Sequence, residues 1–91
     1  MTVEEILKRV EQIGRDAGVK KILLFGSFAK GTAHAKSDID LAVYGAADFD
    51  TFAEDVRNIP TLRSFDIVNM DHCRNRLLME EIETYGWEIL S

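Results

Sequence analysis

Asp38 and Asp40 stand two residues apart in "SDIDLAVYG" (37–45), a stretch that otherwise alternates like a strand. Aspartate is depleted in strands, so placing two in one short strand needs a chemical reason. At strand period both project from the same face, where neighbouring carboxylates repel. A divalent cation between them makes the pair favourable. Carboxylate oxygens suit Mg²⁺ or Mn²⁺, and Mg²⁺ commonly takes only one or two carboxylates together with substrate phosphates. Asp66, between Phe65 and Ile67, is a third candidate. If its strand neighbours that of Asp38 and Asp40, the three acids converge. They then hold two metals, or hold one while the third acts as general base. Two metals about 3.5–4 Å apart are the usual clamp for in-line phosphoryl displacement.

Gly26-Ser27 supplies the other half of such a site. The pair closes an apolar run and opens a turn, where backbone N–H groups point outward and favour anions. Glycine lets the backbone approach a phosphate closely, and the Ser27 hydroxyl adds a hydrogen bond. Lys30, one helical turn on, brings positive charge toward the same phosphates. Gly26, Ser27 and Lys30 are therefore the candidate nucleotide-binding residues, and Asp38, Asp40 and Asp66 the candidate catalytic and metal-binding ones.

The elements that must position them follow from periodicity. Residues 2–17 carry Val3, Ile6, Leu7, Val10, Ile13 and Ala17 at helical spacing. Thr2 and Glu5 form a capping-box pattern, and Gly18 stops the helix. "KKILLF" (20–25) predicts a buried strand. Residues 47–58 predict a helix that ends before Pro60. "LRSFDIVNM" (62–70) predicts a third strand, with Asp66 and Val68 on one face and Phe65 and Ile67 on the other. A last helix is expected over Arg74–Tyr85, and "WEIL" closes as a short strand or tail. The order implies one α/β (α+β) domain over 1–91, with a small mixed sheet and helices on one side of it. The first two strands can pair antiparallel, and the helix after the second allows a parallel crossover.

Composition narrows the function classes. The chain has 91 residues and a formal net charge of −5, with Lys8-Arg9 and Lys20-Lys21 its adjacent basic pairs. No basic patch is apparent, which disfavours nucleic acid as the main ligand. So short a domain has little room for a full substrate pocket, so a partner protein or a second copy of the chain is expected to complete the site. Cys73 is the only cysteine and reads as a packing residue in a reducing compartment. No apolar run spans a bilayer and no signal-peptide pattern opens the chain, so a cytoplasmic location is expected. His34 reads as a solvated loop residue, and His72 is assigned no role.

"FGSFAKGTAHAKSDIDLAV" resembles the signature of the nucleotidyltransferase superfamily typified by DNA polymerase β. Gly26, Ser27, Asp38 and Asp40 fall on its Gly-Ser and Asp-x-Asp positions, and Asp66 on its third strand aspartate. The size and the Ser37-Asp38 context look most like the minimal nucleotidyltransferases (MNT). That resemblance implies the polymerase β-like fold, and metal ions on Asp38 and Asp40 with Asp66 completing the triad. It also implies a triphosphate at Gly26-Ser27, with ATP as substrate and AMP transferred to a hydroxyl. Many such proteins are antitoxins paired with a small helical HEPN-type toxin, which some of them adenylylate on a tyrosine. Three positions depart from the common pattern: Phe28 and Lys30 stand where arginine is frequent, and Lys36 where an acid is common. Two other readings stand beside the leading one. One is a non-catalytic antitoxin that works by contact alone. The other, less favoured, is a small-molecule nucleotidyltransferase of aminoglycoside type, which would need more chain for its acceptor.

Overall fold

A computed structural model describes all residues, 1–91. Helix α1 covers Val3–Asp16. The Thr2 hydroxyl accepts the Glu5 amide at 3.1 Å, and the Thr2 amide donates to the Glu5 carboxylate at 2.9 Å, so the expected capping box is formed. Strand β1 is Lys21–Phe25, and one short turn of helix, α2, follows at Ser27–Lys30. Strand β2 is Ile39–Tyr44, helix α3 Phe49–Arg57 and strand β3 Phe65–Asn69. A 3₁₀ turn at Met70–His72 leads to helix α4, Arg76–Tyr85, and to strand β4, Trp87–Leu90. The last helix starts two residues later than periodicity implied because the Asn75 side chain accepts the Leu78 amide and caps it there. "WEIL" is a strand, not a tail.

The four strands form one mixed sheet in the order β3-β2-β1-β4. Strand β1 pairs antiparallel with β2 and with β4, while β2 and β3 run parallel across the α3 crossover. Both expected pairings are therefore present. Register is held by burial. Ile39, Leu41 and Val43 are each 0% exposed and alternate with Asp40 and Tyr44. Burying one such side chain stabilises by about 1.5–3 kcal/mol. A one-residue slip would take all three out of the main core and drive Asp40 into it. The core thus fixes which way Asp40 points.

The helices are not all on one side, as the sequence had suggested. Residues from α1 (Ile6, Val10) and α3 (Phe52, Ala53, Val56) form the main core with Ile22, Leu24, Ile39, Leu41, Val43 and Ile67. A second, smaller core lies elsewhere: Ile82 and Leu78 of α4 pack with Phe25, Ala42, Met70 and Val68. Those strand residues alternate with the main-core set, so α4 covers the opposite face, which is also the face of Asp40 and Asp66. An apolar stripe shows that a helix packs, but not on which face of a sheet. No helix is long and apolar enough to cross a membrane.

Candidate active site

The carboxylates meet on adjacent strands. In the parallel β2–β3 pair Asp40 lies opposite Asp66, and in the antiparallel β1–β2 pair Asp40 lies opposite Phe25. Neighbouring strands run about 4.8 Å apart, so Asp40 and Asp66 are side by side on one face. Asp38 falls one residue before β2 rather than within it, at the open end of the same row. Asp38 and Asp66 are exposed and Asp40 is half-buried. The register of the sheet thus sets Asp40 beside Asp66, while Asp38 stands outside the ladder.

Gly26 follows Phe25 directly and brings the turn against Asp40. Its φ of 73° and ψ of −150° lie in a region almost exclusive to glycine. A Cβ added there would fall on the Asp40 carboxylate. No other residue fits both the angles and the space. The turn then enters α2, whose first amides have no helical acceptor, and Gly31 ends it at φ 76°. Ser27 therefore begins one residue from the backbone that touches Asp40.

Electrostatics point to a missing positive charge. The Asp40 carboxyl is raised to about 6, first by burial and then by the charges of Asp66, Asp38 and Glu81. No cationic side chain pairs with Asp38, Asp40 or Asp66; of the four acids only Glu81 has a partner, Lys30. An oxygen-rich group of uncompensated carboxylates fits a hard divalent cation such as Mg²⁺ or Mn²⁺. No three acid, histidine or cysteine side chains stand close enough together to hold a metal ion by themselves. An ion here would need waters and substrate phosphates to complete its coordination, as Mg²⁺ commonly does.

Sequence reasoning brought Lys30 toward the phosphates, but its ammonium is bound to Glu81 of α4 and lies 5.2 Å from the Tyr85 ring centre. The structure therefore ties Lys30 to the helix over the sheet rather than to the carboxylates. Two residues escaped the sequence. Glu81 adds a fourth acid at the edge of the site, and only the position of α4 reveals it. Arg63 donates to the carbonyls of Ala35 at 3.4 Å and Ser37 at 3.2 Å. Its guanidinium lies 5.1 Å from the Phe28 ring centre. His34 stays in the loop, where its amide donates to the Ser37 hydroxyl at 2.9 Å.

The site is an open face. A cavity of about 940 Å³ lies beside it, lined by Lys36, Ser37, Asp38, Arg63 and Ser64 among others, but it does not reach Asp40 or Asp66. A substrate on the carboxylates would be held by the turn and by charge rather than by enclosing walls.

The chain matches the family "Polymerase beta, Nucleotidyltransferase" over residues 3–91. A relative from Methanocaldococcus jannaschii, "Putative protein adenylyltransferase MJ0604", is 53% identical over 32 residues, 35% of this chain and 32% of that protein. The match spans about a third of that relative's length. Among solved structures, a toxin–antitoxin crystal structure with AMP-PNP superposes with a TM-score of 0.76 at 27% identity, covering 93% of this chain and 73% of that one. A variant of the toxin–antitoxin MntA-HpeT gives 0.70 at 27% identity, covering 97% and 72%. A second MntA-HpeT variant, at 24% identity and a TM-score of 0.73 over 93% and 73%, shares the fold.

Proposed function

This chain belongs to the polymerase beta nucleotidyltransferase family, and on that premise we propose that it transfers AMP from ATP to a hydroxyl of a partner protein, as the antitoxin of a toxin–antitoxin pair. The observation that carries the chemistry is the Asp40–Asp66 register with Gly26 packed against Asp40. Asp38 and Asp40 are the residues that would hold Mg²⁺ or Mn²⁺. The bound ion would polarise the α-phosphate and offset charge on the leaving pyrophosphate. Ser27 and the backbone of the Gly26 turn orient the triphosphate.

Asp66 is exposed, beside Asp40, and takes the proton of the acceptor hydroxyl. The acceptor oxygen forms a bond to the α-phosphorus, and the bond from that phosphorus to the bridging oxygen breaks. Pyrophosphate leaves with the electron pair, and the proton rests on Asp66. Raised to about 6, the Asp40 carboxyl loses its proton readily once a cation is beside it.

Adenine as the base is supported by the structural relative solved with AMP-PNP, and a protein acceptor by the description of the archaeal relative. A toxin partner is supported by the two toxin–antitoxin structures at 27% identity; that it is of the small helical HEPN type rests on the family resemblance alone. The open site and the exposed Leu77, Tyr85 and Trp87 along α4 and β4 also suit a chain that docks on a partner. A cytoplasmic location is part of the proposal, since ATP is its substrate. The test is incubation with Mg²⁺, the protein encoded beside it, and ATP labelled on either the α- or the γ-phosphate. Label from the α position alone should reach the partner. No transfer of either label, with any nucleotide, would sink the proposal.

A further inference from the structure

We infer that Arg63 is a positioning residue for the metal-binding carboxylates, acting by clamping the backbone on either side of the turn into β2. The inference rests on the reading of Asp38 and Asp40 as metal ligands. Three segments deliver the site: the Gly26 turn with α2, the loop 32–38 that ends on Asp38, and the run 60–66 that ends on Asp66. Arg63 touches all three. It belongs to the third, it stacks on Phe28 of α2, and it donates to Ala35 and Ser37 of the second.

The effect on Asp38 is local. Its side chain is exposed, and the residue lies outside the strand ladder. Its backbone is held from both sides instead. Before it, the Ser37 carbonyl accepts from Arg63 at 3.2 Å. After it, the Ile39 amide donates to the Ser64 carbonyl at 2.9 Å. Both partners come from adjacent residues of the same run, so Arg63 and Ser64 together bracket Asp38 and tie it to the strand that carries Asp66. Arginine suits the task because one planar fork can reach two carbonyls while its flat face lies on an aromatic ring. Lysine can do only part of this.

Removing the clamp should loosen Asp38 without dismantling the core, to which Arg63 contributes no buried side chain. In Arg63→Gln, exchange of the Ile39 amide should quicken about tenfold, reporting a local opening. The dissociation constant for Mn²⁺, followed by electron paramagnetic resonance with no nucleotide present, should rise about tenfold, as when a group orienting a metal ligand is lost. Arg63→Lys should recover part of both. Phe28→Leu removes the ring but keeps the carbonyl bonds, and should weaken Mn²⁺ less. It remains informative if Arg63→Gln fails to fold.

A lowered melting temperature with unchanged Mn²⁺ affinity and unchanged Ile39 exchange would mean Arg63 only packs, and would overturn the inference. If the wild-type chain binds no Mn²⁺ at all, the metal reading fails and this inference fails with it. If the wild type binds and Arg63→Gln binds equally well, only this inference fails.

Discussion

Replacing Asp40 with asparagine should make the chain more stable at neutral pH, the opposite of what most core-adjacent substitutions do. The carboxyl titrates near 3.8 when the chain is unfolded and is raised to about 6 in the folded state. As pH climbs past about 4, the unfolded chain releases this proton first, and the folded state keeps it. Stability is therefore lost as pH rises from about 4 to about 6, and stays lost above that. A difference of about 2 pH units converts to about 3 kcal/mol at most. Asp40 is only half-buried, and solvent screening reduces this to about 1–2 kcal/mol. Asparagine carries no charge, so the penalty disappears. Urea denaturation followed by circular dichroism measures it. With a slope of about 1–2 kcal/mol/M, the midpoint of Asp40→Asn should exceed that of the wild type by about 1 M at pH 7.5. The gap should close at pH 3.5, where the wild-type carboxyl is protonated in both states. A variant no more stable than wild type at pH 7.5, or a gap of equal size at both pH values, would refute the electrostatic reasoning.

Other changes separate the parts of the site. Gly26→Ala meets both a glycine-only backbone region and the Asp40 carboxylate; it should cost about 1–3 kcal/mol in urea denaturation and abolish nucleotidyl transfer. Glu81→Gln removes one of the charges that raise Asp40, so the Asp40 midpoint should move down in a carbon-13 titration. Removing the Lys30–Glu81 pair by Lys30→Met should leave stability nearly unchanged, since the pair lies at the surface and solvent screens it; a clear loss in thermal melting would show that α4 depends on it. Thr2→Ala removes the capping box of α1 and should cost about 1 kcal/mol, read as a lower urea midpoint.

The sequence exposed those parts of the fold and site that are written in short periods. Asp38 and Asp40 at spacing two, Asp66 within an apolar strand, and Gly-Ser at a strand end are local signals, and the strands they implied are present. The meeting of Asp40 and Asp66 depended on β2 and β3 being neighbours, which the α3 crossover allowed and the register realises. What escaped depends on distant pairs. Nothing in 74–85 says that α4 lies over the carboxylate face, so Lys30 was read with phosphates and not with Glu81, 51 residues away in the chain. Arg63 likewise reaches carbonyls 26 and 28 residues back, a pairing that only the folded chain shows. Asp38 lies just outside β2 because the ladder begins only where Ile39 meets the run before β3.

The central claim is that Asp40, crowded by Asp66 and Asp38, stands ready for a divalent cation carrying a triphosphate. Carbon-13 titration of the Asp40 carboxylate, alone and with Mg²⁺ and the non-hydrolysable analogue AMP-PNP, tests it directly. The carboxyl should titrate near 6 alone and fall by at least about one unit when both are added. An Asp40 that titrates like an ordinary aspartate, or one indifferent to Mg²⁺ and the triphosphate, would contradict the claim.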